Sequence, residues 1–237
     1  VSQPQQSTVR NRLLKALTAD DFALLQPHME LTPTELRQPL IKPNEPVKQL
    51  FFPEVGFSSI TTSGSEGKVE VGIIGREGLV GVIPILLGSD RTPHDHFIQS
   101  PGEVLAISTE ALCAAMSRSA SLHKLLLRFA QVQYVQTAQT AFVNATFQIE
   151  ARLARWLLMC HDRLDGDEVR VTHEFLSLML GVQRTGTTLA VQALEGHRLI
   201  KAQRARITIL DRAALELVAD DGYGLPEAEY ARLIEGA

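Results

Sequence analysis

The spacing of apolar positions divides the 237-residue chain into regions with different predicted elements. Residues 10–29 have the spacing of a helix. Between residues 30 and 107, short apolar or alternating runs are separated by Pro, Gly and Asn, which predicts an antiparallel roll or barrel of short strands. Residues 103–165 contain no Gly or Pro, which favours long helices. Residues 166–210 then predict helix, turn, helix and two short strands, followed by a mixed acidic tail.

One helix in the Gly-free region carries a long apolar seam, because apolar residues recur at steps of three or four. Such a seam can lie on the roll or pair with a second chain, but a roll of this size can cover only part of such a helix. We therefore predict that the seam pairs with the same helix of a second chain, with a bend at residues 144–146. The predicted seam consists of Leu122, Leu125, Phe129, Val132, Val135, Ala138, Phe142 and Ala145. The opposite face is rich in glutamine, with Gln131, Gln133, Gln136 and Gln139.

Residues 171–200 predict a helix-turn-helix. Thr172 is placed to cap the first helix, and Gly181 supplies the left-handed turn. In the second helix Ala190, Val191 and Leu194 form the inward face. The first turn of that helix is rich in small polar residues, and a helix that enters a major groove presents its N-terminal residues to base edges. Gly186 and the threonines are therefore predicted to keep this entry narrow.

The predicted DNA contacts combine this helix start with a basic hairpin that follows it. Residues 201–211 predict a two-stranded wing with Lys201, Arg204 and Arg206 near its tip, where basic side chains can reach phosphates. Arginine can pair bidentately with guanine, and threonine methyl or leucine can pack against thymine methyl. The candidate DNA-contacting residues are Thr172, His173, Gln183, Arg184, Thr185, Thr188, Leu189, Arg204 and Arg206.

Charge supports this interpretation once it is divided along the chain. The whole chain carries −4. Residues 169–207 hold six Arg and Lys against two Glu, a balance of +4, whereas residues 208–237 hold seven acids against two Arg, a balance of −5. A local basic patch is the relevant quantity for phosphate contact, although such a patch can also be an ordinary solvated face.

Together, the roll, the long central helix and the stretch "THEFLSLMLGV-R" with "LE-x3-LI" resemble the Crp/Fnr family of bacterial transcription regulators. The resemblance covers about residues 10–212 and implies an α+β fold. Its parts would be a cyclic-nucleotide-binding-like β-roll (8–118), a dimerisation helix (119–146), a winged helix-turn-helix (147–215) and an acidic tail (216–237). It also implies a cytoplasmic homodimer that binds palindromic double-stranded DNA, contacts RNA polymerase and has no enzymatic activity.

The recognition helix departs from the common family pattern of Ser-Arg-Glu-Thr-Val with a second Arg two residues later. Gln183 replaces the Ser, Arg184 is kept, Thr185 replaces the Glu, and Leu189 stands where the second Arg would be. We expect the same mode of binding but a different DNA sequence.

The predicted β-roll sensor departs further from the family pattern than the recognition helix does. Residues 81–108 are similar to the family's nucleotide cassette, but Val82 stands at the position of the ribose-binding Glu and Thr92 at that of the phosphate-binding Arg. Pro93 removes a backbone donor, and Arg91 lies one residue early, which in a strand would reverse its side. We expect these four positions to line an effector site that does not bind cAMP or cGMP, and no cofactor is expected.

The same stretch supports an alternative from another class. Gly88, His94 and His96 match the Gly-x5-His-x-His opening of metal-binding cupins, and imidazoles two apart on a strand share one face. Ser100 and Pro101 occupy the places of the Glu that should follow, and His123 lies on the predicted helix. The competing interpretations are an exposed hairpin tip with two histidines, a metal or haem sensor, and a cupin whose C-terminal bundle is only structural.

Composition argues against cysteine-ligated metal sites and membrane-spanning segments. Cys113 and Cys160 form no ligand spacing, so a cysteine-ligated iron–sulfur cluster or a structural zinc held by this chain alone is excluded. Apolar runs such as residues 79–87 are far shorter than the ~20 residues that span a bilayer. Residues 1–7 are polar and rich in glutamine, which predicts disorder.

Overall fold

A computed structural model describes residues 3–65 and 67–236. These residues form two compact units. The first unit contains residues 3–60, 73–134 and 229–236, and the second contains residues 61–72 and 135–228. The chain therefore passes between the units more than once, and each unit is described by itself below.

The first unit is built on an antiparallel sheet. Its strands are β1 (Glu30–Pro33), β2 (Pro39–Ile41), β3 (Gln49–Gly64), β4 (Gly67–Ile74) and β5 (Asp95–Ser108). The order is β1-β5-β3-β4, and β2 also pairs with β5. Glu30 lies opposite Ala106 and Pro33 opposite Glu103, so β1 follows the second half of β5. Buried side chains such as Phe52, Ile73, Ile98 and Leu105 form the core of this unit.

The prediction of a β-rich roll is confirmed, but the prediction that its strands are short is wrong for β3 and β5, which have 16 and 14 residues. The Pro and Gly residues near the middle of β3 do not end that strand. Gly56 has a positive φ of 79°, and a Cβ there would lie 2.2 Å from the carbonyl oxygen of Ser100. Glycine at this position therefore lets two long strands approach closely where the chain bends. One segment of the region is helical, namely α3 (Val82–Leu86).

The N-terminal segment differs from its prediction in two ways. Residues 10–29 form two short helices, α1 (Arg12–Lys15) and α2 (Ala19–Leu25), followed by a 3₁₀ turn, because Thr18 caps α2 through the Asp21 amide. Residues 3–7 are not disordered, since the Gln6 side chain donates to the carbonyls of Leu14 and Leu17. The predicted disorder at Val1 and Ser2 lies outside the described residues.

The predicted long helices are confirmed as α4 (Thr109–Arg118), α5 (Ala120–Thr146) and α6 (Ile149–His161). Ser108 caps α4 by accepting from the Ala111 amide. Residues 147–148 separate α5 from α6, directly after the predicted bend.

The face of α5 that was predicted to bind a second chain is in part buried by the chain itself. Leu122, Leu125, Phe129 and Val132 are at most 9% exposed, and a Cβ at Gly78 would meet the Phe129 ring at 2.4 Å. The dimer prediction is wrong for these four residues, because a side chain covered by its own unit cannot also be covered by a partner. Val135 is half-buried, whereas Ala138, Phe142 and Ala145 are exposed.

Most of the glutamine face of α5 is buried as well. Gln133, Gln136 and Gln139 are at most 7% exposed, whereas Gln131 is exposed. Within the second unit, the Gln139 amide donates to the Asp221 carbonyl at 2.7 Å. A buried amide on a helix can thus serve as an anchor for another segment.

The second unit is a helical bundle with a small sheet. Its elements after α6 are β6 (Glu168–Val169), α7 (His173–Leu180), α8 (Arg184–Gly196), β7 (Ile200–Gln203), β8 (Arg206–Ile209), α9 (Arg212–Ala219) and α10 (Leu225–Tyr230). The sheet order is β6-β8-β7, with both pairs antiparallel. Leu153, Leu157, Leu158 and Cys160 of α6 lie in the core of this unit.

The predicted acidic tail is folded. Its predicted start at residue 216 falls inside α9, which is capped by Asp211 and buries Leu215. A buried network joins this segment to α6 within the second unit, because Arg212 pairs with Asp162 at 2.8 Å and both contact the Tyr223 hydroxyl. In the part of the chain that the structure describes, no helix is long and apolar enough to cross a membrane.

Candidate nucleic-acid interface

Two helices of the second unit form a tight turn of the predicted kind. The Thr172 hydroxyl accepts from the Phe175 amide at 3.2 Å and caps α7. Gly181 ends α7 with φ 61° and ψ 40°, and a Cβ there would lie 3.1 Å from the Val69 side chain. Glycine is therefore suited to this position both by its conformation and by the lack of space. The predicted cap and left-handed turn are confirmed.

The inner side of α8 explains part of its unusual first turn. Thr187 is fully buried, and its hydroxyl accepts a hydrogen bond of 3.2 Å from Ser177 of α7. A Cβ at Gly186 would lie 3.2 Å from Ile149 at the start of α6. These two small residues thus allow α8 to pack against α6 and α7. This packing gives a structural reason for the small residue at position 186, and the role of Gly186 in admitting base edges stays a prediction.

The outer side of the same turn is exposed and carries an arginine. Gln183, Arg184 and Thr185 are exposed, and Leu189 is 63% exposed. Gln183 does not cap α8 with its side chain. No described carboxylate lies within ion-pair distance of Arg184, so its charge is available to a ligand. Ala190, Val191 and Leu194 are buried, as predicted for the inward face.

Two other candidate residues are held in place by local hydrogen bonds. The Thr188 hydroxyl donates to the Arg184 carbonyl at 3.0 Å and shares a hydrogen bond of 3.4 Å with His173 Nδ1. Thr188 and His173 are each half-buried, whereas Thr172 is exposed despite its role as a cap. The structure thus brings the beginning of α7 and the beginning of α8 together on one surface.

The wing separates its two predicted arginines into different environments. The β7–β8 turn contains Arg204, which is exposed and has no carboxylate partner among the described residues. Arg206 instead pairs with Glu168 of β6 at 2.9 Å and also donates to Gln203. A charge that is already compensated contributes less to phosphate binding, so Arg204 is the stronger candidate.

Sequence reasoning missed part of this surface. Arg170, Arg198 and Lys201 are also exposed and unpaired with any described acid. Lys201 was predicted among the basic residues near the wing tip, whereas Arg170 and Arg198 were counted only in the local charge, although their position beside the helix-turn-helix was a usable signal. The pairing of Arg206 with Glu168 had no such signal, because the two residues are 38 positions apart and β6 was not predicted.

The cassette residues of the first unit show no comparable set of exposed charges. Val82 is fully buried at the start of α3. Arg91 and Pro93 are exposed, and Arg91 pairs with its neighbour Asp90 at 2.8 Å. Thr92 is buried, and its hydroxyl accepts from the His94 amide at 3.2 Å. Residues 91–94 precede β5 rather than lying in it, so the expected strand alternation does not apply there.

The two cassette histidines are not at an exposed hairpin tip. His96 is only 4% exposed within β5, and His94 is half-buried. Burial, with a smaller contribution from His94, lowers the pKa of His96 to about 4, so it is neutral at pH 7. Within residues 3–65 and 67–236, no group of three His, Cys, Asp or Glu side chains is placed to hold a metal.

Comparison with known proteins gives the same assignment for the C-terminal region. Residues 151–218 match the Crp-like helix-turn-helix domain family. A search of curated protein sequences found no significant match. Solved structures with the same fold include FixK2 from Bradyrhizobium japonicum, with 13% sequence identity and a TM-score of 0.69, covering 81% of this chain and 98% of that one.

Two further structures extend this comparison. A CRP-family transcriptional regulator from Thermus thermophilus is 18% identical with a TM-score of 0.66, covering 79% of this chain and 96% of that one. The c-di-GMP-responsive global regulator CLP of Xanthomonas campestris is 19% identical with a TM-score of 0.64, covering 81% of this chain and 99% of that one.

The class of protein follows from the fold and this surface: a mixed α and antiparallel β protein with a long helix and a C-terminal winged helix-turn-helix. More specifically, the chain has the fold of Crp/Fnr transcription regulators, and its C-terminal region is a Crp-like helix-turn-helix domain. The resemblance stated from the sequence is confirmed both for the fold of the chain and for the C-terminal domain.

Proposed function

We propose that the protein is a dimeric, sequence-specific DNA-binding transcription regulator of the Crp/Fnr type. The observation that carries this proposal is the exposed start of α8, where an unpaired Arg184 stands beside Thr185 and Leu189 in a Crp-like domain. A guanidinium at the N-terminal end of a recognition helix can pair with guanine in the major groove. Arg204 and Lys201 on the wing provide phosphate contacts on the same unit.

The dimer is proposed to form through a face of α5 that keeps Ala138 and Ala145 of the predicted seam but differs from that seam in the N-terminal half of the helix. Exposed residues on this helix repeat at alternating steps of four and three, as in a coiled coil. The members of this exposed stripe are Leu127, Gln131, Tyr134, Ala138, Ala141 and Ala145. Leu127 is 44% exposed and Tyr134 is 69% exposed, and Phe142, which borders the stripe, is 50% exposed. An exposed apolar stripe of this length favours a partner helix.

The proposed dimer is tested by light scattering at micromolar concentration. The wild-type chain should have twice the monomer mass. Tyr134→Glu should give monomers, because it places a charge in the centre of the stripe, whereas Arg128→Glu, off the stripe, should stay dimeric. A monomeric wild-type protein would contradict the dimer.

DNA binding is tested with the purified dimer and DNA fragments taken from upstream of the organism's own genes. Some fragments should bind with dissociation constants on the order of 10⁻⁸ M or tighter at physiological salt, at least about a thousandfold tighter than random DNA. Equal binding of every fragment would contradict sequence-specific recognition. Regulation through contact with RNA polymerase belongs to the same proposal, and in-vitro transcription from a bound promoter tests it.

The effector is proposed to be something other than cAMP or cGMP. Val82 cannot accept hydrogen bonds from a ribose, and Arg91 already pairs with Asp90. The cupin alternative has less support, because Ser100 and Pro101 stand where a third ligand would be required. Metal analysis of the purified protein separates the two, since a cupin-type site would retain about one metal ion per chain.

A further inference from the structure

The second unit contains a cleft that the proposed DNA contacts do not use. It is formed by the outer end of the β3–β4 hairpin, the C-terminal half of α5, α6 and the last turn of α7. The cleft is narrow and opens to solvent. The residues that matter for its chemistry are Glu70, Thr140, Arg152, Arg155, Trp156 and Leu180.

Two arginines of α6 line this cleft without a counter-ion. Arg152 and Arg155 are three residues apart, so their side chains lie on one face of the helix. Arg155 is only 6% exposed, and its guanidinium makes one hydrogen bond, of 3.1 Å, to the Thr140 hydroxyl. Arg152 donates to the Asn144 side chain at 3.1 Å and to the Leu180 carbonyl. Among the described residues, no carboxylate lies within ion-pair distance of either guanidinium.

The acid on the opposite wall does not neutralise this pair. Glu70 accepts a hydrogen bond of 2.7 Å from the Trp156 indole nitrogen and is itself buried. Glu227 and, more weakly, Glu70 act electrostatically on Arg155 and favour its charged form, but neither forms a direct ion pair with it. Burial lowers the pKa of both guanidiniums, that of Arg155 to about 10, which still leaves both groups charged at pH 7.

A buried cation of this kind requires a partner. Arginine has five N–H donors, and most of the donors of Arg155 have no acceptor among the described residues. Removing a charge from water without pairing it is expensive, and a guanidinium fork matches the two oxygens of a carboxylate or phosphate. We propose that this cleft binds a compact oxyanion, a carboxylate or phosphate group, between Arg152 and Arg155.

The position of the cleft connects the anion to the proposed DNA-binding function, on which this step rests. Arg152 donates to the carbonyl of Leu180, the last residue of α7, immediately before Gly181 of the helix-turn-helix. An anion that engages Arg152 competes with this hydrogen bond and so alters the support of the turn. Binding of the anion should therefore change the affinity of the dimer for its DNA.

The chain provides its own reporter for binding, because Trp156 is its only tryptophan. Inorganic phosphate is titrated into the full-length protein without DNA, with chloride keeping the ionic strength constant, and Trp156 fluorescence is recorded. A parallel titration with acetate separates phosphate from carboxylate preference. We expect a saturable change for at least one of the two anions.

Three variants assign the signal to the cleft. Arg155→Met and Arg152→Met should each weaken anion binding about tenfold or more, because each removes a charge-assisted contact. Arg118→Met removes an equal charge from an exposed site at the end of α4, outside both the cleft and the candidate DNA surface, and should leave binding unchanged.

The outcomes separate the site from the proposed function. A wild-type protein without saturable response to either anion, or an equal response in Arg155→Met, would overturn the site. Should Arg155→Met fail to fold, Arg155→Lys replaces it and should also bind more weakly, because an ammonium lacks the fork. The regulatory step is then tested with DNA, where the bound anion should shift affinity severalfold in the wild type and not in Arg155→Met. If fluorescence shows anion binding but the anion does not change the affinity for DNA, only the regulatory step is contradicted. If the protein does not bind DNA at all, the proposed function is contradicted and the anion site is not.

Discussion

The winged helix and the β-roll differ in the exposure and pairing of the residues that the family resemblance assigns to ligand binding. On the winged helix, Arg184 and Arg204 are exposed and unpaired with any described acid. In the roll, Val82 has joined the core, and Arg91 pairs with Asp90 on the surface. An exposed and uncompensated charge is available to a ligand, whereas a paired or replaced one is not.

The roll therefore has the core of the fold without exposed charges at its candidate binding positions, whereas the winged helix has such charges. In the roll, polar residues of the 81–108 stretch, such as His96, are buried in the core. The winged helix keeps the surface chemistry that DNA requires. The predictions that follow test one side of this comparison or the other.

The largest expected effect concerns two adjacent leucines of α5. Leu126 is 1% exposed and Leu127 is 44% exposed. Leu126→Ala should lower the free energy of unfolding by about 2–5 kcal/mol, because it removes buried methyl groups and leaves a cavity. Leu127→Ala should stay within about 0.5 kcal/mol under conditions where the chain is monomeric, and should instead weaken the dimer. Urea unfolding at several protein concentrations measures both, and equal effects would contradict the assignment of the two faces.

The next effect concerns the acid stability of the roll. The pKa of His96 is lowered to about 4 by burial, with a smaller contribution from His94 and an opposing one from Asp95. Because the folded pKa lies below the unfolded value, the neutral imidazole stabilises the fold above about pH 6.5, and this stability is lost as the pH falls towards 4. At about pH 5 the loss should be about 2 kcal/mol relative to about pH 7.

His96→Gln is the control for this prediction, because it keeps a polar side chain that does not titrate. The difference in unfolding free energy between about pH 7 and about pH 5 should shrink by about 2 kcal/mol in the variant. An unchanged pH dependence would mean that His96 is not the titrating group.

A smaller effect separates the two arginines of the wing. Arg204→Ala should weaken binding to all DNA sequences similarly and reduce the slope of log affinity against log salt by about 1, because it removes one phosphate contact. Arg206→Ala should change that slope less, since Glu168 already compensates the Arg206 charge. Equal slopes for the two variants would show that the pairing with Glu168 does not persist on DNA.

The smallest expected effect is the absence of a response. Calorimetric titration with cAMP or cGMP at about millimolar concentration should give no saturable heat, because a cyclic nucleotide would lose its charge partner and its ribose anchor. A clear isotherm in the micromolar range would mean that Arg91 leaves Asp90 to bind the cyclic phosphate. The variant Arg91→Ala would then abolish the heat and identify the contact.

The sequence was sufficient to predict the elements whose signals are local. The Thr172 cap, the Gly181 turn and the inward face of α8 depend on residues within a few positions of one another, and all three are confirmed. The absence of Gly and Pro correctly predicted helices within residues 103–165, but it did not show that β5 continues to Ser108 or that α4 ends at Arg118.

The errors concern contacts between residues far apart in the chain. Periodicity showed that Leu122 and Phe129 share a face of α5, but not that the chain itself covers that face. It also gave no reason for Gly186, whose neighbour Ile149 lies on another helix. In both cases a small or apolar residue has the same local pattern whether its partner is its own chain, a second chain or DNA.

The central claim is that the outer start of α8 reads DNA sequence, and binding-site selection from random DNA tests it most directly. Wild-type protein should enrich a palindrome whose half-sites lie about one helical turn, ~34 Å, apart. Arg184→Ala should bind the selected site more weakly by about 1–3 kcal/mol and lose preference at one base pair of each half-site. The matched variant Arg198→Ala, at an exposed arginine beyond the end of α8, should enrich the wild-type sequence. Identical sequences enriched by the wild type and by Arg184→Ala would contradict the account.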